Sequence, residues 1–308
     1  MADGSNRTSF SVPAGGGERL KGWYWPVDGT KANLTVMTGM NEYALRYGPF
    51  ALWMNEHGVN VWVLDAFGQG ENAASIAEQE IWPENAFVRQ VDAIHEMLLL
   101  AKENGLPTTI MGHSMGSFLT QSHLCRYPGS EASTILMGSN GGQASLMKTG
   151  YMLSRILVHR SNRDRPNALL TSISLGSYAK AIKDRKSVLD WLSYNEDNVN
   201  AYRDDPYCGH PNTGGFWKEF MKGMSLLWDP SQLANISPNE RIFIVAGSDD
   251  PVGQCGKGIH WLYDMYREHG VKDVQMKLYD HMRHEILNEA ESETVRNDLL
   301  SFIMCTGR

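Results

Sequence analysis

TTIMGHSMGSFLTQSHLCRYP, residues 108–128, sets an apolar run, a glycine-bracketed serine and a helical pattern in immediate succession. TTIM has the dense apolar character of a strand buried on both faces of a sheet. SFLTQSHLCRYP reads as a helix that ends at Pro128. Between them GHSMG, 112–116, is the one match to Gly-x-Ser-x-Gly in the chain. Alone the pattern is weak, because glycine is abundant here and a Gly-rich turn with an incidental serine would look the same. The strand before it and the helix after it make it specific: strand, sharp turn and helix push Ser114 out at the carboxyl edge of a sheet. The flanking glycines keep side chains out of the turn, so strand and helix can approach closely.

Working outward, further short apolar runs each end in glycine or small polar residues. They are NLTVMTG (33–39), VNVWVLDAFG (59–68), STILMGS (133–139) and RIFIVAGS (241–248), with VQMKLYD (274–280) as one more. RLKGWYWPV (19–27) alternates polar and apolar, as a half-exposed strand does. Helical patterns lie between the runs. Phe87, Val91, Ile94 and Leu98 form one apolar stripe in 86–104, and Val295, Leu299 and Ile303 form another in 290–304. Alternating short strands and helices predict a doubly wound, mostly parallel α/β sheet. From Gly141 to Ser237 the alternation stops, and helical patterns rich in Met, Leu, Tyr and Trp follow one another. Ordinary crossover helices are the plainer alternative, but this stretch is far too long for one crossover. The expected organisation is a core of 1–140 and 238–308, with 141–237 inserted as a helical cap between core strands.

A serine hydroxyl becomes a nucleophile when a base takes its proton and an acid orients that base. GSDDPV (247–252) follows one strand and offers Asp249 and Asp250; YDHMRHEILNE (279–289) follows the next and offers His281 and His284. Three strand ends in the order serine, acid, histidine are the arrangement expected at the carboxyl edge of such a sheet. The two histidines, three residues apart, would share one face if they lay on a helical turn. They could then begin a metal site with Asp280, Glu285 and Glu289, but no His-Glu-x-x-His pattern occurs. An oxyanion needs backbone donors, and the N–H groups of Met115, at the start of its helix, and of Met40, in TGMNE after an early strand, are in place for it. His113 is expected to pack beneath the serine, and His57, His95 and His269 to be surface or half-buried helix residues.

On these residues the chain resembles the serine α/β-hydrolases of the monoacylglycerol lipase and lysophospholipase group, close to the serine aminopeptidase S33 family. GHSMGS is similar to that family's nucleophile elbow and GSDDPV to its Gly-x-x-Asp-Pro-Val loop. RHEILNE is similar to its Arg-His-Glu-x-x-x-Glu loop, and MTGMNEYALRY (37–47) to its His-Gly-x-x-Glu-x-x-x-Arg-Tyr loop. The resemblance covers nearly the whole chain. It implies an α/β-hydrolase fold in which Ser114, Asp250 and His284 form the catalytic triad, without cofactor or metal, and His281 is a variable loop residue. It departs from the family at Thr38, where histidine is usual, and in DAFGQGEN (65–72), which keeps Asp65, Gly68 and Gly70 but lacks both histidines of the usual loop. The oxyanion donors are backbone groups, so the hole is expected to survive these changes.

The implied function is a carboxylic ester hydrolase working through an acyl-enzyme on a small-molecule acyl ester; the apolar cap motivates a lipid-derived acyl chain. A proline-iminopeptidase-type aminopeptidase would use the same triad and could hold a substrate amine with Glu196, Asp197, Asp204 or Asp205. A catalytically silent, ligand-binding relative would be expected to lack a triad member, and all three are present. The net charge of −7 disfavours a nucleic-acid partner. The N-terminus shows no apolar leader, and no run is long enough to be a transmembrane segment. Cys125, Cys208, Cys255 and Cys305 are widely spaced, so reduced, buried or semi-buried thiols and a cytoplasmic setting are expected. A homodimer is compatible with this reading.

Overall fold

The computed structural model describes residues 6–305; the first five residues of the N-terminus read above for a leader lie outside it. The chain runs β1 (Thr8–Pro13), β2 (Arg19–Trp25), β3 (Ala32–Met37), α1 (Gly48–Glu56), β4 (Val59–Leu64), α2 (Ala86–Ala101), β5 (Thr108–His113), α3 (Met115–Arg126) and β6 (Ser133–Met137). Six helices follow: α4 (Ala144–Leu157), α5 (Ala168–Ser174), α6 (Gly176–Ala181), α7 (Glu196–Asp204), α8 (Gly214–Leu227) and α9 (Pro230–Leu233). The chain then returns through β7 (Arg241–Gly247), α10 (Lys257–Glu268), β8 (Asp273–Tyr279) and α11 (Ser292–Met304).

The eight strands form one sheet in the order β1-β2-β4-β3-β5-β6-β7-β8. From β4 to β8 all neighbours are parallel, while β2 joins β4, and β1 joins β2, antiparallel. Every residue of β3, β5 and β6 is buried, as the continuous apolar runs require of strands covered on both faces. Successive residues divide between two cores. Ile110 and Leu136 pack on one face with the Phe87, Val91 and Ile94 stripe of α2. Met111 and Ile135 pack on the other, with Phe50 and Met54 of α1 and the Val295, Leu299 and Ile303 stripe of α11. β1 was not expected from the sequence. In it only Val12 is fully buried, so as the outermost strand it lacks the burial contrast that marks the others.

β4 lies on one side of β3 and β5 on the other. The chain therefore reverses its direction of travel across the sheet at β3, and the carboxyl ends of β3 and β5 bound a crevice. The helices between β6 and β7 settle onto the core through α8. Gly223 makes this close approach possible, since a Cβ there would fall 2.1 Å from the Phe87 ring on α2. Part of the apolar surface of α4 faces out: Leu146 and Ile156 are exposed, as is Met152.

Candidate active site

The turn from β5 into α3 is tighter than any side chain would allow. A Cβ on Gly112 would lie 2.2 Å from the Gly116 carbonyl oxygen, and one on Gly116 would lie 2.2 Å from that of Met37. Strand β5, helix α3 and the end of β3 thus touch backbone to backbone. Ser114, at the apex, is held at φ 52° and ψ −119°, a conformation that L-residues adopt only under constraint. Its N–H donates to the Met137 carbonyl of β6 (3.0 Å). The Met115 N–H opens α3 beside it, where helix N–H groups lack partners within the helix.

Asp250 follows β7 and is fully buried. Its Oδ1 accepts the Val252 N–H (2.8 Å), and its Oδ2 lies 2.9 Å from His284 Nδ1. Asp249, which the strand-end argument could not separate from it, instead accepts the Tyr194 hydroxyl (2.8 Å). The His284 ring is buried, and Nε2 has no hydrogen-bond partner. Gly138, at φ 58° after β6, makes room for that ring: a Cβ there would come within 3.1 Å of it. The Trp191 ring covers it from the helical segment, with centroids 5.0 Å apart. His281 is different in kind. It sits exposed in a left-handed turn at φ 55°, so the two histidines do not share a helical face. Among the described residues no group of three or more His, Cys, Asp or Glu is arranged to hold a metal ion.

Beneath the serine lies a buried charge network. Glu42 Oε1 accepts the Gly39 N–H (2.5 Å) and the Tyr47 hydroxyl (2.8 Å), and lies 2.9 Å from His113 Nδ1. Arg46 bridges Glu42 Oε2 (2.9 Å) to both oxygens of Glu285 (2.8 Å each). Burial opposes ionisation of Glu285, but Arg46 outweighs it and brings the carboxyl down to about 2. Burial likewise opposes charge on His113, and the Glu42 carboxylate overcomes it, raising the imidazole above its ordinary value. Asn198 of α7 donates to the same Glu285 (2.7 Å), so the network reaches the helices between β6 and β7. His113 is buried in this network, its ring 4.8 Å from that of His284.

Ser114, His284, Met40 and Met115 all line one cavity of about 210 Å³ at this crevice, room for far more than a few waters. Its walls are mainly apolar and aromatic, with Met147, Tyr178, Trp191, Trp217, Phe220 and Trp228 among them, and among the described residues no Lys or Arg side chain lines it. None of the four acidic residues weighed as amine holders lines it either. Glu196 pairs with Lys186, Asp204 with Arg203, and Asp205 accepts the Tyr43 hydroxyl, while Asp197 is exposed. All four cysteines are free, but Cys255 and Cys305 are exposed, against the expectation of buried or semi-buried thiols. Cys255 lies in the turn after Asp250 and Cys305 just past the last helix, where side chains meet solvent.

An eight-stranded, mostly parallel sheet with a strained serine at its carboxyl edge defines an α/β-hydrolase of the serine type. The chain belongs to the serine aminopeptidase S33 family, whose model matches residues 28–291. It is similar to a monoacylglycerol lipase of Mycolicibacterium smegmatis, with 25% identity over 97% of this chain and 98% of that one. It is also similar to the monoglyceride lipase of Homo sapiens, at 24% identity over 86% of this chain and 80% of the relative. Among solved structures, a thermostable carboxyl esterase from Bacillus coagulans superposes with a TM-score of 0.87 at 24% identity, covering 96% of this chain and 97% of its own.

Proposed function

We propose that the protein hydrolyses carboxylic acyl esters through a Ser114–His284–Asp250 triad. Ser114 Oγ attacks the ester carbonyl as His284 Nε2 takes its proton. Asp250 holds the Nδ1–H and stabilises the imidazolium that forms. The N–H groups of Met40 and Met115 receive the oxyanion of the tetrahedral intermediate. His284 returns the proton to the departing alcohol, and water, activated by the same imidazole, then cleaves the acyl-enzyme. One observation carries this reading: His284 is bonded to Asp250 through one nitrogen while the other is unpartnered, in the cavity that Ser114 lines.

The aromatic walls favour an apolar acyl chain, and we read the helices of 144–233 as the cap that supplies them. The cavity offers no cation to a phosphate, which favours an uncharged alcohol, as in a monoacylglycerol, over a lysophospholipid. With its four candidate carboxylates placed elsewhere, the aminopeptidase alternative has no group of that set to hold a substrate amine. A fluorophosphonate probe is expected to label Ser114, and Ser114→Ala to abolish both labelling and turnover. In a panel of monoacylglycerol, lysophosphatidylcholine and proline naphthylamide, the monoacylglycerol is expected to be hydrolysed fastest. Turnover surviving in Ser114→Ala refutes the triad; preference for the lysophospholipid or the amide refutes the substrate class.

A further inference from the structure

Met40, the donor from the loop after β3, sits between two anchored residues. On one side the Gly39 N–H is held by Glu42. On the other Asn41 is tied through Asn212 to Glu80, far along the chain in the segment after β4. The Asn41 carbonyl is engaged as well as its side chain. Its carbonyl accepts the Gly209 N–H (3.1 Å) and the Tyr202 hydroxyl (2.9 Å). Its Oδ1 accepts Asn212 Nδ2 (2.8 Å). Asn41 needs this grip because it stands at φ 60°, the left-handed region that a non-glycine residue leaves unless held.

Glu80 is placed for that task. It is buried, itself at φ 65°, with its N–H on the Gly68 carbonyl (2.6 Å) and its own carbonyl accepting the Thr213 hydroxyl (2.7 Å). Gln69 donates to one carboxyl oxygen (3.1 Å) and Asn212 to the other (3.2 Å). No cation pairs with it among the described residues, so these two amide donors are its compensation. Burial pushes the carboxyl up to about 8. Both protonation states retain a carbonyl-type oxygen to accept from these amides, two in the anion and one in the acid. Gln69 in turn lies 3.5 Å from the Thr38 hydroxyl, so Thr38 and the 65–72 loop, where the chain departs from the family pattern, meet in this cluster.

We propose that Glu80 is a positioning residue that fixes the Met40–Asn41 turn and thereby aims the Met40 N–H at the oxyanion. Through Asn212 and Thr213 it also ties that donor to the segment that leads into α8. The inference rests on the reading of Met40 as an oxyanion donor. A side chain that acts this way contributes in the transition state and little in the ground state.

Glu80→Met removes the acceptor and keeps the volume. On p-nitrophenyl butyrate it is expected to lower kcat by about 10- to 100-fold, short of the roughly 10²–10³ lost with a whole oxyanion donor. KM should stay within about threefold, and the inhibition constant of an alkyl trifluoromethyl ketone, which mimics the tetrahedral adduct, should rise by the same factor as kcat falls. Glu80→Gln, which keeps one carbonyl oxygen, should recover most of the loss. A purely structural role would lower the melting temperature without making ketone affinity follow kcat. Should Glu80→Met fail to fold, Asn212→Ala tests the other end of the cluster with the same paired readout. Active wild-type protein with kcat unchanged in both variants, or with ketone affinity unmoved while kcat falls, overturns the inference alone. Wild-type protein that neither turns over esters nor takes a fluorophosphonate at Ser114 overturns the underlying reading and the inference with it.

Discussion

Replacing Arg46 by methionine keeps much of the side-chain volume and removes the one guanidinium between two buried carboxylates. Arg46 has 11% of its side chain exposed, and Glu42 and Glu285 have 5% and 4%, so water cannot take its place. Breaking a buried pair by removing one partner generally costs 3–5 kcal/mol, roughly, because the other charge is left uncompensated. Glu285 carries the pH dependence of the network: against burial, Arg46, with Asn198 and His113, brings its carboxyl from 4.5 down to about 2. The sign follows from the depressed value. This stabilisation is fully present above about pH 4.5, where the unfolded chain is ionised, and is lost as pH falls towards about 2. Arg46→Met is therefore expected to be destabilised by about 3–5 kcal/mol at pH 7, with the deficit shrinking on acidification below about pH 4.5. Urea unfolding followed by tryptophan fluorescence at a series of pH values measures both. A deficit under about 1 kcal/mol at pH 7, or one that does not change with acid, would show that the network is solvated or redundant.

Two further outcomes test the site. His284→Ala should lower kcat/KM on a short p-nitrophenyl ester by at least about 10³-fold, since members of such a triad act as a unit, and His281→Ala by less than about threefold. Equal losses would mean that the exposed histidine has a role that its position denies it. Gly116→Ala places a methyl group 2.2 Å from the Met37 carbonyl oxygen and 2.6 Å from that of Thr38, both backbone atoms that cannot swing aside. It is expected to cost about 1–3 kcal/mol of stability and most of the activity, because the serine turn and the Met40 loop must part. A melting temperature and rate equal to those of the wild type would contradict the backbone contact.

What could be read from the sequence and what could not divide along a physical line. Seven of the eight strands announced themselves, most as short apolar runs closed by glycine or small polar residues and one by polar–apolar alternation, and such patterns are local. The placement of Ser114 at a strand–helix turn is equally local, as are the strand ends carrying Asp250 and His284. Choosing between Asp249 and Asp250 needed the family pattern, because two adjacent carboxylates look alike until one is buried against the imidazole. Long-range polar contacts left no trace of this kind. Glu80 sits in AEQEIWPEN, a polar, charged run in which nothing marks it for burial, yet it is held by Gln69 and by Asn212, the latter on a distant part of the chain. Arg46 and Glu285 are separated by 239 positions and Trp191 and His284 by nearly a hundred. The apolar pattern thus reports which residues leave water. A buried carboxylate is visible only when the donors that make its burial tolerable are seen around it, and at Glu80 one of those donors, Asn212, also holds the loop that would receive the oxyanion.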